Sequence, residues 1–109
     1  MFDDGFKLLG RNFLDRMQKE MLLLHQVMAR GRSGDASAMA DARNVAARMR
    51  SGCAKLGFLE MRRISSSLEL KLKDAGPAPS DKEWSTFSAL MQQLQTALRD
   101  ARFQAGMDA

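Results

Sequence analysis

The chain has 109 residues, 45% hydrophobic and 28% charged, the balance of one soluble globular domain, which argues against two domains or a disordered tail. No apolar run approaches the roughly 20 residues needed to cross a bilayer, and the start, Met1-Phe2-Asp3-Asp4-Gly5, lacks the basic-then-apolar order of a signal peptide, so a cytoplasmic location away from membranes is expected. The lone Cys53 excludes an internal disulfide, and one cysteine with one histidine, His25, is too little for a Cys/His zinc centre, so no metal or other cofactor is expected.

Net charge is +4, and it is unevenly spread. Arg43, Arg48, Arg50, Lys55, Arg62 and Arg63 face Glu60 alone between residues 42 and 63, which places the whole excess in one stretch. A basic patch of this kind suits an acidic or phosphate-bearing partner, or is a solvated face with no partner.

Tyrosine is absent, Val and Ile are scarce, and no Asn-Gly or Asp-Gly hairpin signal occurs, so the predicted fold class is all-α. The first segment, about Phe6 to Arg30, repeats Phe6, Leu9, Phe13, Met17, Met21, Leu24 and Met28 at three- and four-residue steps. Gly10 and Asn12 leave two arrangements open: one rod, or a short extra helix followed by a longer one beginning near Arg11. Gly31-Arg32-Ser33-Gly34 reads as a loop, and Asp35 offers an N-cap to a second helix, about Ala36 to Lys55, with Ala42, Val45, Ala46, Met49, Cys53 and Leu56 inward. Gly57 ends it.

A third helix is predicted from Phe58 to Ala75 with Met61, Ile64, Leu68 and Leu72 inward, stopped by Gly76-Pro77-Ala78-Pro79. The fourth opens on a capping box, Ser80-Asp81-Lys82-Glu83, and buries Trp84, Phe87, Met91, Leu94, Leu98 and Ala101. Residues Gln104 to Ala109 are small and polar and are expected to fray. Four such helices on short loops predict one antiparallel up-down-up-down bundle with its core between about 6 and 103, the nine methionines filling gaps in it.

At 100° per residue, Met49, Cys53 and Leu56 point inward and Arg43, Ala47, Arg50 and Ala54 form a row on the other side of the second helix. Small side chains there, flanked by Arg43, Arg48 and Arg50 and thinned by Ser51 and Gly52, admit the close approach of another surface; the alternative is an exposed face that needs nothing larger. In this stretch the chain resembles the histidine phosphotransfer (HPt) domains of two-component phosphorelays. Those are antiparallel four-helix bundles with the pattern His-x-x-Lys/Arg-Gly/Ser followed six residues later by Gly, often after an apolar residue. Arg50 matches the basic position, Ser51 the small one, Leu56 the apolar one and Gly57 the glycine, and the resemblance covers roughly residues 10 to 102.

The pattern's phosphorylated histidine is replaced by Ala47. In the family an exposed imidazole attacks an aspartyl phosphate and later returns the phosphoryl group, while a nearby Lys or Arg offsets its charge; a methyl group has no lone pair with which to do this. His25 lies beside the first apolar stripe without the basic-then-small spacing, which suggests a boundary residue, and Cys53 reads as a small core residue.

The resemblance thus implies no catalytic residue and a partner-binding face of Arg43, Ala47, Arg48, Arg50, Ser51 and Ala54, docking to a receiver domain of a response regulator or to a histidine kinase. One alternative is an active phosphotransfer domain whose histidine was replaced by Ala47 through engineering. Another is a small basic nucleic-acid-binding bundle, disfavoured because no exposed aromatic is interleaved with the charges and no helix-turn-helix spacing occurs. An enzyme is not expected, since no His pairs with a Ser or Cys nucleophile and no glycine-rich phosphate loop is present.

Overall fold

Every segment with a three- and four-residue apolar repeat is a helix in the computed structural model, which describes the backbone of residues 3–107 and the side chains of residues 9–107. The helices are α1 (Asp3–Arg32), α2 (Ala38–Leu56), α3 (Leu59–Ala75) and α4 (Asp81–Gln104). Each packs against its neighbours in the chain, and α1 and α4 close the ring, so the order around the bundle is α1, α2, α3, α4. The antiparallel sense is visible at both ends of the α1–α4 pair. Arg102, late in α4, bonds Asp15, early in α1, at 2.9 Å, whereas Arg32 at the end of α1 lies over Trp84 at the start of α4. None of the described helices is long and apolar enough to cross a membrane.

A single core joins all four stripes. The inward residues expected on α3 are buried, as are those on α4 down to Leu98, with Ala101 half-buried beside them. On α2 the expected residues are buried except for Leu56, which is only partly covered, and Ala38 and Met39 are buried in addition. Met17, Met21, Met28, Met39, Met49, Met61 and Met91 are all in the core, where an unbranched, polarizable chain adapts to irregular gaps.

The first stripe differs from its prediction. Leu9 is 58% exposed, and Leu14 and Val27 are buried in addition to the residues expected. The reason is length: α1 has 30 residues, about 45 Å at 1.5 Å per residue, and outruns its partners. Gly10 already lies beside Phe58, in the turn after α2, and Arg11 beside Ala105, just past α4. Leu9 is beyond the end of the bundle and has little to pack on. Phe6, the other early member of that stripe, lies outside the described side chains.

Gly10 and Asn12 do not break α1, so there is no extra N-terminal helix. The helix runs on to Arg32 and stops at Gly34, where φ is +107°. There the Asp35 amide donates to the Arg30 carbonyl at 3.0 Å and the Gly34 amide to that of Gly31 at 3.1 Å. This reversal satisfies two of the otherwise orphaned carbonyls of the last turn. Asp35 does not cap α2 directly. Its carboxylate accepts from the Ser37 amide at 3.0 Å and the Ser37 hydroxyl at 2.6 Å, and these bonds hold its pKa below the ordinary carboxylate range. The first turn of α2 consequently begins at Ala38.

Ser80 forms the expected capping box: its hydroxyl accepts from the Glu83 amide at 3.2 Å, and its own amide donates to the Glu83 carboxylate at 2.9 Å. The fraying expected from Gln104 onward is not found among the described residues of the tail, 104–107. Gly106 has φ +75°, the Met107 amide donates to the Arg102 carbonyl at 2.9 Å, and Arg11 clamps the Ala105 carbonyl through Nε and Nη2 at 3.2 and 3.0 Å. Ala105 and Met107 also pack against the core. A glycine cap and an arginine from another helix order this segment, which its composition alone does not reveal.

Gly52 is required by packing. A β-carbon there would overlap Cε1 of Phe13, whose ring also stacks on Phe58 at 5.5 Å between centroids. Ser65 is fully buried on α3 and its hydroxyl has no hydrogen-bond partner among the described residues. Two substitutions of opposite sign follow. Gly52→Ala gains helix propensity but drives a methyl into an aromatic ring, and urea denaturation should show a net loss of about 1–3 kcal/mol. Ser65→Ala removes an unsatisfied hydroxyl, and the same measurement should show a gain of up to about 1 kcal/mol.

Candidate docking face on the second helix

The outer face of α2 is framed by α1 on one side and α3 on the other. At 100° per residue its centre is Asn44, Arg48, Ser51 and Lys55, all exposed, with Ala47 and Ala54 displaced toward α3 and Gly52 toward α1. The row Arg43, Ala47, Arg50 and Ala54 is therefore the α3-side edge of this face. Of these, Ala54 is exposed and Arg43, Ala47 and Arg50 are half-buried.

Two arginines of the face are held by carboxylates from neighbouring helices. Arg48 makes a forked contact with Glu20 of α1, Nε and Nη2 donating at 3.2 and 2.9 Å, and these hydrogen bonds raise its pKa above the usual value. Arg50 donates through Nε to Glu69 of α3 at 2.6 Å. Further along the basic stretch, Arg63 is engaged one turn away by Glu60, Nη2 to carboxylate at 2.7 Å. Arg43, Lys55 and Arg62 have no carboxylate partner among the described residues. The charge excess read from the sequence is real in count but half engaged within the fold.

The small residues of this region divide by use. Gly52 is occupied by Phe13 of the chain's own α1, so its missing side chain serves internal packing. Ala47, Ser51 and Ala54 form the low part of the face, with Ser51 and Ala54 exposed and Ala47 half-buried on its α3 side. Beside them, between α1 and α2, runs a groove of about 310 Å³ with Phe13 on its floor and Arg16, Arg48 and Lys55 around it. Arg16 lies 5.7 Å from the Phe13 ring centroid, within cation–π range. Arg16, Glu20 and Glu69 were not legible as part of this site. They belong to other helices, and only the bundle's register brings them to α2.

Comparisons with protein families, with curated proteins and with solved structures found no match to this chain. The site is therefore read from its own chemistry.

His25 is exposed on α1 in the groove toward α4, away from the α2 face, and so has no access to the position of Ala47. Cys53 is buried on the inner side of α2, and burial pushes its thiol pKa up to about 12. The neutral thiol is thus favoured by the folded state. Its stabilising contribution is complete below pH 9, the ordinary thiol value, and is lost as pH rises from there toward 12. Iodoacetamide at pH 8 should leave native Cys53 unmodified and alkylate it at once in denaturant, as followed by intact-mass spectrometry. Rapid alkylation of the native protein would contradict a buried thiol.

Proposed function

We propose that this chain is an HPt-like domain that carries no phosphate and acts by docking the outer face of α2 onto a receiver domain or a histidine kinase. The observation that carries the reading is the surface around Ala47: Ala47, Ser51 and Ala54 present only short side chains midway along a bundle helix, with the unpaired Arg43 one turn before. A low surface lets a partner approach the helix backbone closely, and a partly buried cation gives the approach its sign. The phosphoacceptor pocket of a receiver is acidic, which is the complement of that sign. No nucleophile stands at Ala47, so signalling would be regulated by occupancy of the partner and not by phosphoryl exchange.

Arg43 is the better probe of this docking than Arg50, because Arg50 is bonded to Glu69 and its removal also frees a carboxylate. In a calorimetric survey of the host's receiver and kinase domains, at least one should bind, and Arg43→Ala should weaken that complex about tenfold at low salt and less at high salt. Absence of binding across the set, or indifference to Arg43→Ala, would remove the docking reading.

The engineered-replacement alternative is separable. A histidine restored at Ala47 would stand on the α3-side edge of the face, next to an Arg50 already engaged by Glu69. Ala47→His is therefore expected to acquire no phosphohistidine from receivers charged with acetyl phosphate, assayed as acid-labile label. Label at wild-type phosphotransfer levels would instead identify an active domain that had lost its histidine.

A further inference from the structure

The groove between α1 and α4 takes no part in the docking face. It has a volume of about 360 Å³, within the range in which small molecules are held. Its wall is largely apolar, with Met28 and Ala29 of α1 and Met91 of α4 beside Ser88 and Gln92, and Trp84 closes one end. At that same end stands Arg32, its guanidinium 5.6 Å from the Trp84 ring centroid. The far end is polar, with His25 from α1 and Gln95 from α4.

Among the described residues no carboxylate lines this groove. Arg32 itself has no carboxylate partner among the described residues, because the local acids are used elsewhere. Asp35 and Asp41 lie 3.4 and 2.8 Å from Arg30, and the Glu83 carboxylate is turned back onto the Ser80 amide. A guanidinium beside an indole keeps its N–H edge free and matches a carboxylate in a forked geometry. One such cation balances one negative charge, which favours a monocarboxylate over a phosphate dianion. From His25 to Arg32 the lining spans about 10 Å of helix axis, the reach of a medium-length acyl chain.

We infer that the α1–α4 groove is a binding site for a small amphipathic carboxylate, its head group on Arg32 beside Trp84 and its apolar body along Ala29, Met28 and Met91. The site is separate from the α2 face, so its test is independent of the docking reading.

The chain holds one tryptophan and no tyrosine, so its intrinsic emission reports Trp84 alone. Titration with octanoate should give a saturable change in that emission, half complete below about 1 mM. Octanol, which lacks the charge, should need at least fivefold more, and inorganic phosphate should leave the emission unchanged. Arg32→Gln, at an exposed helix end, should weaken octanoate at least fivefold without altering the circular dichroism. Ala29→Phe, which fills the groove from an exposed position, should abolish the response, whereas Lys71→Gln, at an exposed position of α3 outside both sites, should leave it intact. The inference is overturned if octanoate leaves Trp84 unaffected, if octanol matches it, or if Arg32→Gln has no effect. It is equally overturned if the emission changes with protein concentration alone, which would mean that a second copy of the chain fills the groove.

Discussion

The packing of Phe13 onto the bare backbone of Gly52 sets how closely α1 approaches α2, and the candidate face depends on that distance. No side chain fits between them, since even a β-carbon would overlap the ring. The same ring stacks on Phe58, which ties the α2–α3 turn to α1. Gly31 does similar work at the other end of α1, where an added β-carbon would lie 3.1 Å from Met39 Sδ and 3.3 Å from the Trp84 ring. The two contacts are separated by eighteen residues of α1, about 27 Å, and between them the methionine-rich core takes up the irregularities. α1 is thus held against α2 at both ends, and this closeness lets Glu20 reach Arg48.

The helices were legible because burial imposes a period. Met61, Ile64, Leu68 and Leu72 repeat at helical steps with nothing to contradict them, and the capping box at Ser80 marks a helix start by local bonds alone. What local pattern missed was set by other helices. Leu9 belongs to the apolar stripe by spacing, yet whether it is covered depends on where α2 and α4 end. The order of residues 104–107 depends on Arg11, more than ninety positions away in the chain. Asp35 is a fair N-cap by type, but its carboxylate finds Ser37 first and the helix begins later.

The candidate face was legible in its small residues and misjudged in its charges. A count along the chain treats Arg48 and Arg50 as free, and their partners, Glu20 and Glu69, come from the helices on either side. Both pairs are partly exposed, so each contributes little to stability, on the order of 1 kcal/mol or less. Their larger effect is on the face itself. They pin two long side chains to its flanks, with the short side chains of Ala47, Ser51 and Ala54 between them.

α1 serves two sides of the bundle, and they differ for a reason visible in composition. Toward α2, Gly52 permits direct contact. Toward α4 there is no equivalent, since no glycine occurs between Asp81 and Gln104. The pair is instead fastened at its ends, by Gly31 against Trp84 at one and by Arg102 to Asp15 and Arg11 to Ala105 at the other. Between these ties the facing positions include Met28, Met91, Gln92 and Gln95, long chains that hold the axes apart, while Ala29 and Ser88 leave the space above them unfilled. The α2 seam is thus closed at Gly52 and open beside it, whereas the α4 seam is open along Ala29 and Ser88, between the ties at its two ends.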